Sequence, residues 1–238
     1  MVDKHFYEEW SLKKLSGDCC RRREAMLWKA EVMLNVMPED LKAESILEIG
    51  CAEGTILNEI SKKKGIKRAV GVDLSKSFTM QGEKSYPDIE FINKDFMDAG
   101  FKEKEFELAI LSDVIEHVED YRSFLKKTAT VSKNVVFKIP LERCLYSRLF
   151  KPPGPKHPSG HLHSFSVREC RSILEEQGLT IVKYSVEIAP LNLMLGSGKN
   201  PVIDRCIGGV DKIIRLIPKR ILFMLVGGHF FAFCRCPH

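Results

Sequence analysis

Three carboxylates stand where an apolar run gives way to a turn, and together they offer acceptors to a hydroxylated, nitrogenous ligand. Ile46-Leu47-Glu48-Ile49-Gly50-Cys51-Ala52-Glu53-Gly54-Thr55 reads as a buried strand, a turn and a helix start. Gly50 permits a sharp turn and a close ligand approach, and Gly54 leaves room where the helix begins. The helix start presents unsatisfied N–H groups at the carboxyl edge of a sheet, where open α/β folds bind ligands. Asp73 closes the next run, Val70-Gly71-Val72-Asp73-Leu74. A carboxylate there can accept from both hydroxyls of a ribose and disfavours a 2′-phosphate. Its plainer role is a helix N-cap. Asp95, inside Phe91-Ile92-Asn93-Lys94-Asp95-Phe96, can accept from an adenine amino group or simply serve a turn. A dinucleotide GxGxxG loop starting at Gly50 would need glycine where Ala52 and Thr55 stand, and no Gly-Lys-Ser/Thr follows for a triphosphate.

Histidines form the second group. His117, in Ser112-Asp113-Val114-Ile115-Glu116-His117-Val118-Glu119-Asp120, is the candidate base: imidazole titrates near neutrality and suits proton transfer there. It is expected at the beginning of a helix, where its ring could equally meet local hydrogen bonds. His157, His161 and His163 make a further cluster. An HxH pair can set two imidazoles on one side of an extended segment, but zinc would want a third ligand, so no metal is expected. His161 and His163 are instead expected to line an acceptor pocket, with Tyr146, Phe150 and Phe165 as apolar wall.

The elements that must position these groups follow from periodicity. Residues 1–44 look helical, with Trp28, Val32 and Val36 at helical spacing, Asp18 as a possible cap and Pro38 as a stop. From Ile46 onward, apolar runs near 46–49, 69–72, 89–92, 108–111 and 134–139 alternate with charged amphipathic stretches. That pattern predicts a parallel, doubly wound sheet. Residues 142–165 lack periodicity and read as a lid-like insertion. Ser166-Val167-Arg168-Glu169 is a capping box, and Gly178 is placed to end that helix. A strand is expected over 180–188, an amphipathic helix around Ile207 to Ile217, and a last strand over 230–236. Residues 45–238 thus form one catalytic domain behind a helical extension.

Composition limits the possibilities. At 238 residues and 44% hydrophobic content the chain can bury a sizeable core. A net charge of +5 is mild, and its basic runs, Arg21-Arg22-Arg23 and Lys62-Lys63-Lys64, lie apart on expected helices, so nucleic acid is not the expected partner. The eight cysteines fit neither a zinc ribbon nor a CxxC motif, and the opening Met-Val-Asp-Lys is unlike a signal peptide; reduced thiols in the cytoplasm are expected. The longest apolar stretch, Ile221 to Cys234, is broken by Gly227, Gly228 and His229, too short to span a membrane. Six basic residues between Lys199 and Arg220 face only Asp204 and Asp211; that patch could touch an anionic membrane surface or RNA.

Taken in order, these segments resemble the class I S-adenosylmethionine-dependent methyltransferases, and look closest to the small-molecule group that includes the quinone-biosynthesis enzymes. Glu48-x-Gly50-x-x-x-Gly54 matches the first motif, Asp73 the ribose-binding acid and Asp95 the adenine-side acid. Ser112 to Asp120 matches the segment after the fourth strand, which often carries Glu-His; Gly160-His161-Leu162-His163-Ser164-Phe165-Ser166 matches the segment before the next helix. Ala52 departs from the usual middle glycine. The resemblance implies a Rossmann-like seven-stranded, mostly parallel sheet with helices on both faces and an antiparallel last strand. It implies S-adenosylmethionine as cofactor, released as S-adenosylhomocysteine and held by Glu48, Gly50, Cys51, Ala52, Gly54, Asp73, Leu74, Asp95, Phe96 and Ser112. The acceptor would be small or lipid-like, since no Pro-Cys and no Asn/Asp-Pro-Pro-aromatic follows the fourth strand. The competing expectations are a scaffold that keeps the fold without turnover, and an RNA methyltransferase.

Overall fold

The computed structural model describes residues 4–17, 19–144, 160–190 and 227–237, with the single positions 193, 217, 218, 221, 223 and 225. Asp18, Tyr146, Phe150 and His157, most of the lid-like insertion, the helix expected near 207–217 and the basic patch fall outside the described residues. In order, α1 (Lys4–Leu15) and α2 (Cys19–Val36) precede β1 (Ser45–Ile49), α3 (Thr55–Lys64), β2 (Arg68–Asp73), α4 (Lys76–Ser85) and β3 (Glu90–Asn93). Then come β4 (Phe106–Ser112), α5 (Tyr121–Val131), β5 (Ser132–Leu141), α6 (Val167–Glu176), β6 (Thr180–Glu187) and β7 (Gly228–Arg235).

The seven strands lie in the order β3-β2-β1-β4-β5-β7-β6. β1 pairs in parallel with both β2 and β4, while β7 runs antiparallel to β5 and to β6. The chain therefore leaves β1 in one direction across the sheet and returns to its other side at β4, which makes the carboxyl ends of β1 and β4 the topological switch point. Side chains alternate between two cores. Leu47, Ala109 and Leu111 pack with Phe124 and Leu125 of α5 and Ile173 and Leu174 of α6. Ile46, Leu108 and Ile110 pack with Ala30 and Met33 of α2 and Ile56, Leu57 and Ile60 of α3.

Two expectations need correction. Between β3 and β4 the chain makes only a 3-10 turn, Phe96–Asp98, where the alternating pattern suggests a helix: Asp95 accepts the Met97 N–H at 2.8 Å and closes the turn. His117 ends another 3-10 turn, Ile115–His117, and does not open a helix; α5 starts at Tyr121, with Asp120 as its cap. The capping box is present: the Glu169 N–H donates to Ser166 Oγ at 3.3 Å, and the Ser166 N–H donates to Glu169 Oε2 at 2.9 Å.

The N-terminal helices are part of the layered core. Ala30, Met33 and Val36 of α2 are buried against the sheet face that α3 also covers. Met33→Ala should therefore cost about 2–5 kcal/mol of folding free energy, as for other buried large-to-small changes. Urea unfolding checks this; a change below about 1 kcal/mol would mean that α2 is dispensable to the core.

Candidate active site

The site grows from the turn after β1. Gly50 and Cys51 donate their N–H groups to the Val72 carbonyl at 2.8 and 3.2 Å, which ties this turn to the end of β2. Gly50 has φ 71°, and a Cβ there would sit 2.8 Å from Val114 Cγ2, so glycine is required on both counts. Ala52 also lies in the left-handed region, at φ 47°. Asp73 stabilises that conformation: Oδ2 accepts from the Ala52 N–H at 2.8 Å, and Oδ1 accepts from Ser75 N–H at 2.8 Å. Glu48, 1% exposed, accepts the Leu57 N–H at 3.0 Å and so satisfies one of the orphan donors of the first turn of α3. Burial holds the Glu48 carboxyl well above the usual range, more than that hydrogen bond lowers it. Burial likewise pushes Asp73 up to about 6; its two backbone donors oppose the rise, while the nearby Glu53 and Glu8 carboxylates add to it.

These groups open into a cavity of about 360 Å³ at the carboxyl ends of β1, β2 and β4. Its far wall begins with Asp113, at φ 56°, whose carboxylate accepts from Lys29 of α2 at 2.7 Å and from the buried Lys138 of β5. Burial alone would raise the Asp113 carboxyl, but Lys138 and Lys29 outweigh it and hold it well below the usual range. Tyr7, Trp10 and Lys14 of α1 and Arg22 and Met26 of α2 close the mouth. Helix α1 is held there by Glu8, which accepts the Lys76 and Ser77 N–H groups at 2.9 and 3.0 Å at the start of α4. Arg22 donates to Glu53 Oε1 at 2.9 Å, and Glu53 Oε2 is buried without a hydrogen-bond partner among the described residues.

On the side of β4, the His117 and His161 rings meet edge to face with centroids 4.7 Å apart. His117 Nδ1 lies 3.2 Å from the Gly160 carbonyl and His161 Nδ1 lies 2.7 Å from Glu142 Oε2. A carbonyl and a carboxylate only accept, so each Nδ1 carries a proton, and on neutral His117 the lone pair sits on Nε2. Burial, followed by the neighbouring His161, pushes His117 down to about 4. This corrects the expectation of a base matched to neutral pH: the imidazole is neutral there but weakly basic. Glu116, beside both histidines in space, is fully buried, and burial raises its carboxyl well above the usual range.

The cavity is lined by Glu48, Gly50, Cys51, Ala52, Asp73, Leu74, Asp95, Phe96, Ser112, His117 and His161. Gly54 is not among the lining residues; a Cβ there would meet Phe91 Cζ at 2.6 Å, so its smallness serves packing. Phe96 is a core aromatic, 4% exposed and edge-on to Phe124 at 5.0 Å. His163 and Phe165 turn to a different cavity beside Tyr121, where His163 Nε2 donates to the Val118 carbonyl at 3.0 Å; the HxH pair is thus split. The sequence reading missed Lys29, Asp113, Lys138 and the α1 side chains. Only the order of the chain hints at them, since nothing in residues 1–44 marks which helical face would meet the strand ends.

A family model described as a methyltransferase domain matches residues 15–184. The chain belongs to the methyltransferase-domain family. Solved structures agree in fold. A methyltransferase of Haloferax volcanii, seen in complex with the activator Trm112, is 16% identical with a TM-score of 0.70, covering 98% of this chain and 96% of that one. A SAM-dependent methyltransferase from Archaeoglobus fulgidus is 19% identical with a TM-score of 0.61, covering 98% and 100%. Magnesium protoporphyrin IX methyltransferase from Synechocystis PCC 6803, with bound SAH, is 12% identical with a TM-score of 0.62, covering 99% and 100%. No curated protein matches the sequence.

The cofactor of this methyltransferase fold is S-adenosylmethionine, and the donor and acceptor set of the cavity fits it. Asp73 keeps free lone pairs on each oxygen beyond its two backbone bonds, as paired hydroxyls require. The buried, unpartnered Glu53 Oε2 is an acceptor suited to an amino group, and Arg22, Lys14 and Lys29 supply cations near it for a carboxylate. The product S-adenosylhomocysteine keeps the ribose and should select the ionised Asp73. Its affinity should hold steady above pH 6 and fall about tenfold per pH unit below it, as one essential deprotonation requires. Isothermal titration from pH 4.5 to 8 checks this; a flat profile would remove the carboxylate from ligand binding.

Proposed function

We propose that this methyltransferase passes a methyl group from S-adenosylmethionine to a small or lipid-like acceptor lodged in the same cavity. The observation that carries the reading is convergence: the β1 turn, Asp73 and Asp95 on one side, and His117 and His161 on the other, line one cavity. The bound cofactor supplies a methyl already activated on a positive sulfonium, so displacement needs alignment and dryness more than a strong acid or base. Asp73 would grip the ribose, Asp95 the adenine edge, and Glu48 would fix the turn that the methionine end lies against. Ser112 and Asp113 form the far wall at the end of β4. Tyr7 and Trp10 exclude water from the mouth, and Val114 and Val118 give the acceptor an apolar wall.

A small acceptor suits a cavity of about 360 Å³. Among the described residues no helix is long and apolar enough to cross a membrane. Among the described residues Cys51, Cys170, Cys234 and Cys236 are buried free thiols, which fits a reducing compartment such as the cytoplasm.

Calorimetric titration with S-adenosylhomocysteine, with NAD as control, tests the reading. Only the former should bind. Asp73→Ala should weaken it about 10- to 150-fold, the equivalent of one charge-assisted hydrogen bond worth about 1.5–3 kcal/mol. Equal affinity in the variant, or NAD binding as tightly, would overturn the assignment.

A further inference from the structure

Glu116 is the side chain whose burial the surrounding protein leaves unbalanced. It is 0% exposed, and neither carboxylate oxygen has a hydrogen-bond partner among the described residues. A buried carboxylate in that state must either stay protonated or meet a cation. Lys138, the ammonium group that acts on Glu116, is engaged by Asp113. What does converge on Glu116 is imidazole: one ligand atom each from Glu116, His117 and His161 lies within 4.8 Å of the others.

We infer that Glu116, His117 and His161 form a binding site for a divalent transition-metal ion of the zinc type. The donor set, two neutral imidazoles and one carboxylate with a further position open, is one that zinc favours in reactive sites. Magnesium and calcium prefer all-oxygen shells and are poorer matches. Ligands about 2.0–2.2 Å from a tetrahedral ion stand about 3.4 Å apart, so modest side-chain rotation closes the present triangle.

The rings are already oriented. His117 Nδ1 donates to the Gly160 carbonyl and His161 Nδ1 to Glu142, the outer-shell arrangement that points Nε2 of a ligating histidine at its ion. The two loops are clamped by backbone: Leu162 and His163 donate their N–H groups to the Glu116 carbonyl at 2.8 and 3.1 Å. This clamp joins segments far apart in sequence, so His161 meets Glu116 and His117 across the fold while His163, the other half of the HxH pair, turns away.

His117 and His161 line the cavity, so the open position of the ion faces it. An oxygen of the acceptor could coordinate there. That clause rests on the methyl-transfer reading; the cation site itself does not.

The test is titration of the chelator-stripped full chain with Co²⁺, read by its visible ligand-field bands, followed by displacement with Zn²⁺. One equivalent of Co²⁺ should bind with the intense bands of a low-coordinate site. Glu116→Gln and His117→Ala should each weaken binding at least about tenfold, and Glu142→Gln about 10- to 100-fold, as outer-shell changes do. The double variant Cys19→Ser/Cys20→Ser should keep the signal, since those exposed thiols could bind metal on their own. Circular dichroism melts and S-adenosylhomocysteine affinity, taken on each protein, separate lost binding from lost folding. His161→Asn replaces any variant that fails to fold. No stoichiometric binding, binding that survives both Glu116→Gln and His117→Ala, or a signal lost with the two thiols would overturn the metal site. S-adenosylhomocysteine binding that persists without metal binding sinks the metal site alone; metal binding without it sinks the methyl-transfer reading alone.

Discussion

The carboxylate of Asp73 holds two backbone amides that belong to different parts of the chain. One is Ala52, in the turn after β1; the other is Ser75, which caps α4. Ala52 in the left-handed region costs about 1–2 kcal/mol, and a hydrogen bond to a charged acceptor offsets about that much. A glycine would adopt that conformation without help. Alanine there makes the turn depend on the acid at the next strand end, so the geometry of the cavity floor and the group proposed to hold the ribose are one interaction. Ser75 extends it outward: its hydroxyl donates to Glu8, which in turn fixes α1 over the mouth.

A second interaction sets the opposite wall. Asp113 also sits at positive φ, held by Lys29 from α2 and Lys138 from β5. Removing one partner of such a buried pair leaves a charge uncompensated, which is costlier than the pair is stabilising. The pair therefore locates the N-terminal helices relative to the sheet and closes one side of the cavity. It also engages Lys138, the ammonium group that acts on Glu116, so that carboxyl stays protonated unless a further cation meets it.

Much of this was legible in the sequence because it is local. The apolar runs at 46–49, 69–72 and 108–111 alternate or stay continuous as buried parallel strands must, and the acids and glycines that punctuate them fall at strand ends. The capping box before α6 was equally readable, since both partners lie within one turn. The failures are non-local. Nothing near His163 says that Val118 will take its ring, or that His161 will meet Glu116 and His117 across more than forty residues. Residues 1–44 read as an extension because a helical face shows where apolar side chains lie, not which strand ends they will cover. Asp95 serves the turn that its residue type allows, while the helix implied by strand–helix alternation between β3 and β4 is only the 3-10 turn Phe96–Asp98.

A crystal structure with S-adenosylhomocysteine tests the central arrangement most directly. The ribose hydroxyls should lie within hydrogen-bond distance of Asp73, with the Ala52 N–H still donating to the same carboxylate and the adenine toward Asp95. A ligand seated elsewhere, or an Asp73 side chain released from Ala52 and turned out of the cavity, would contradict it.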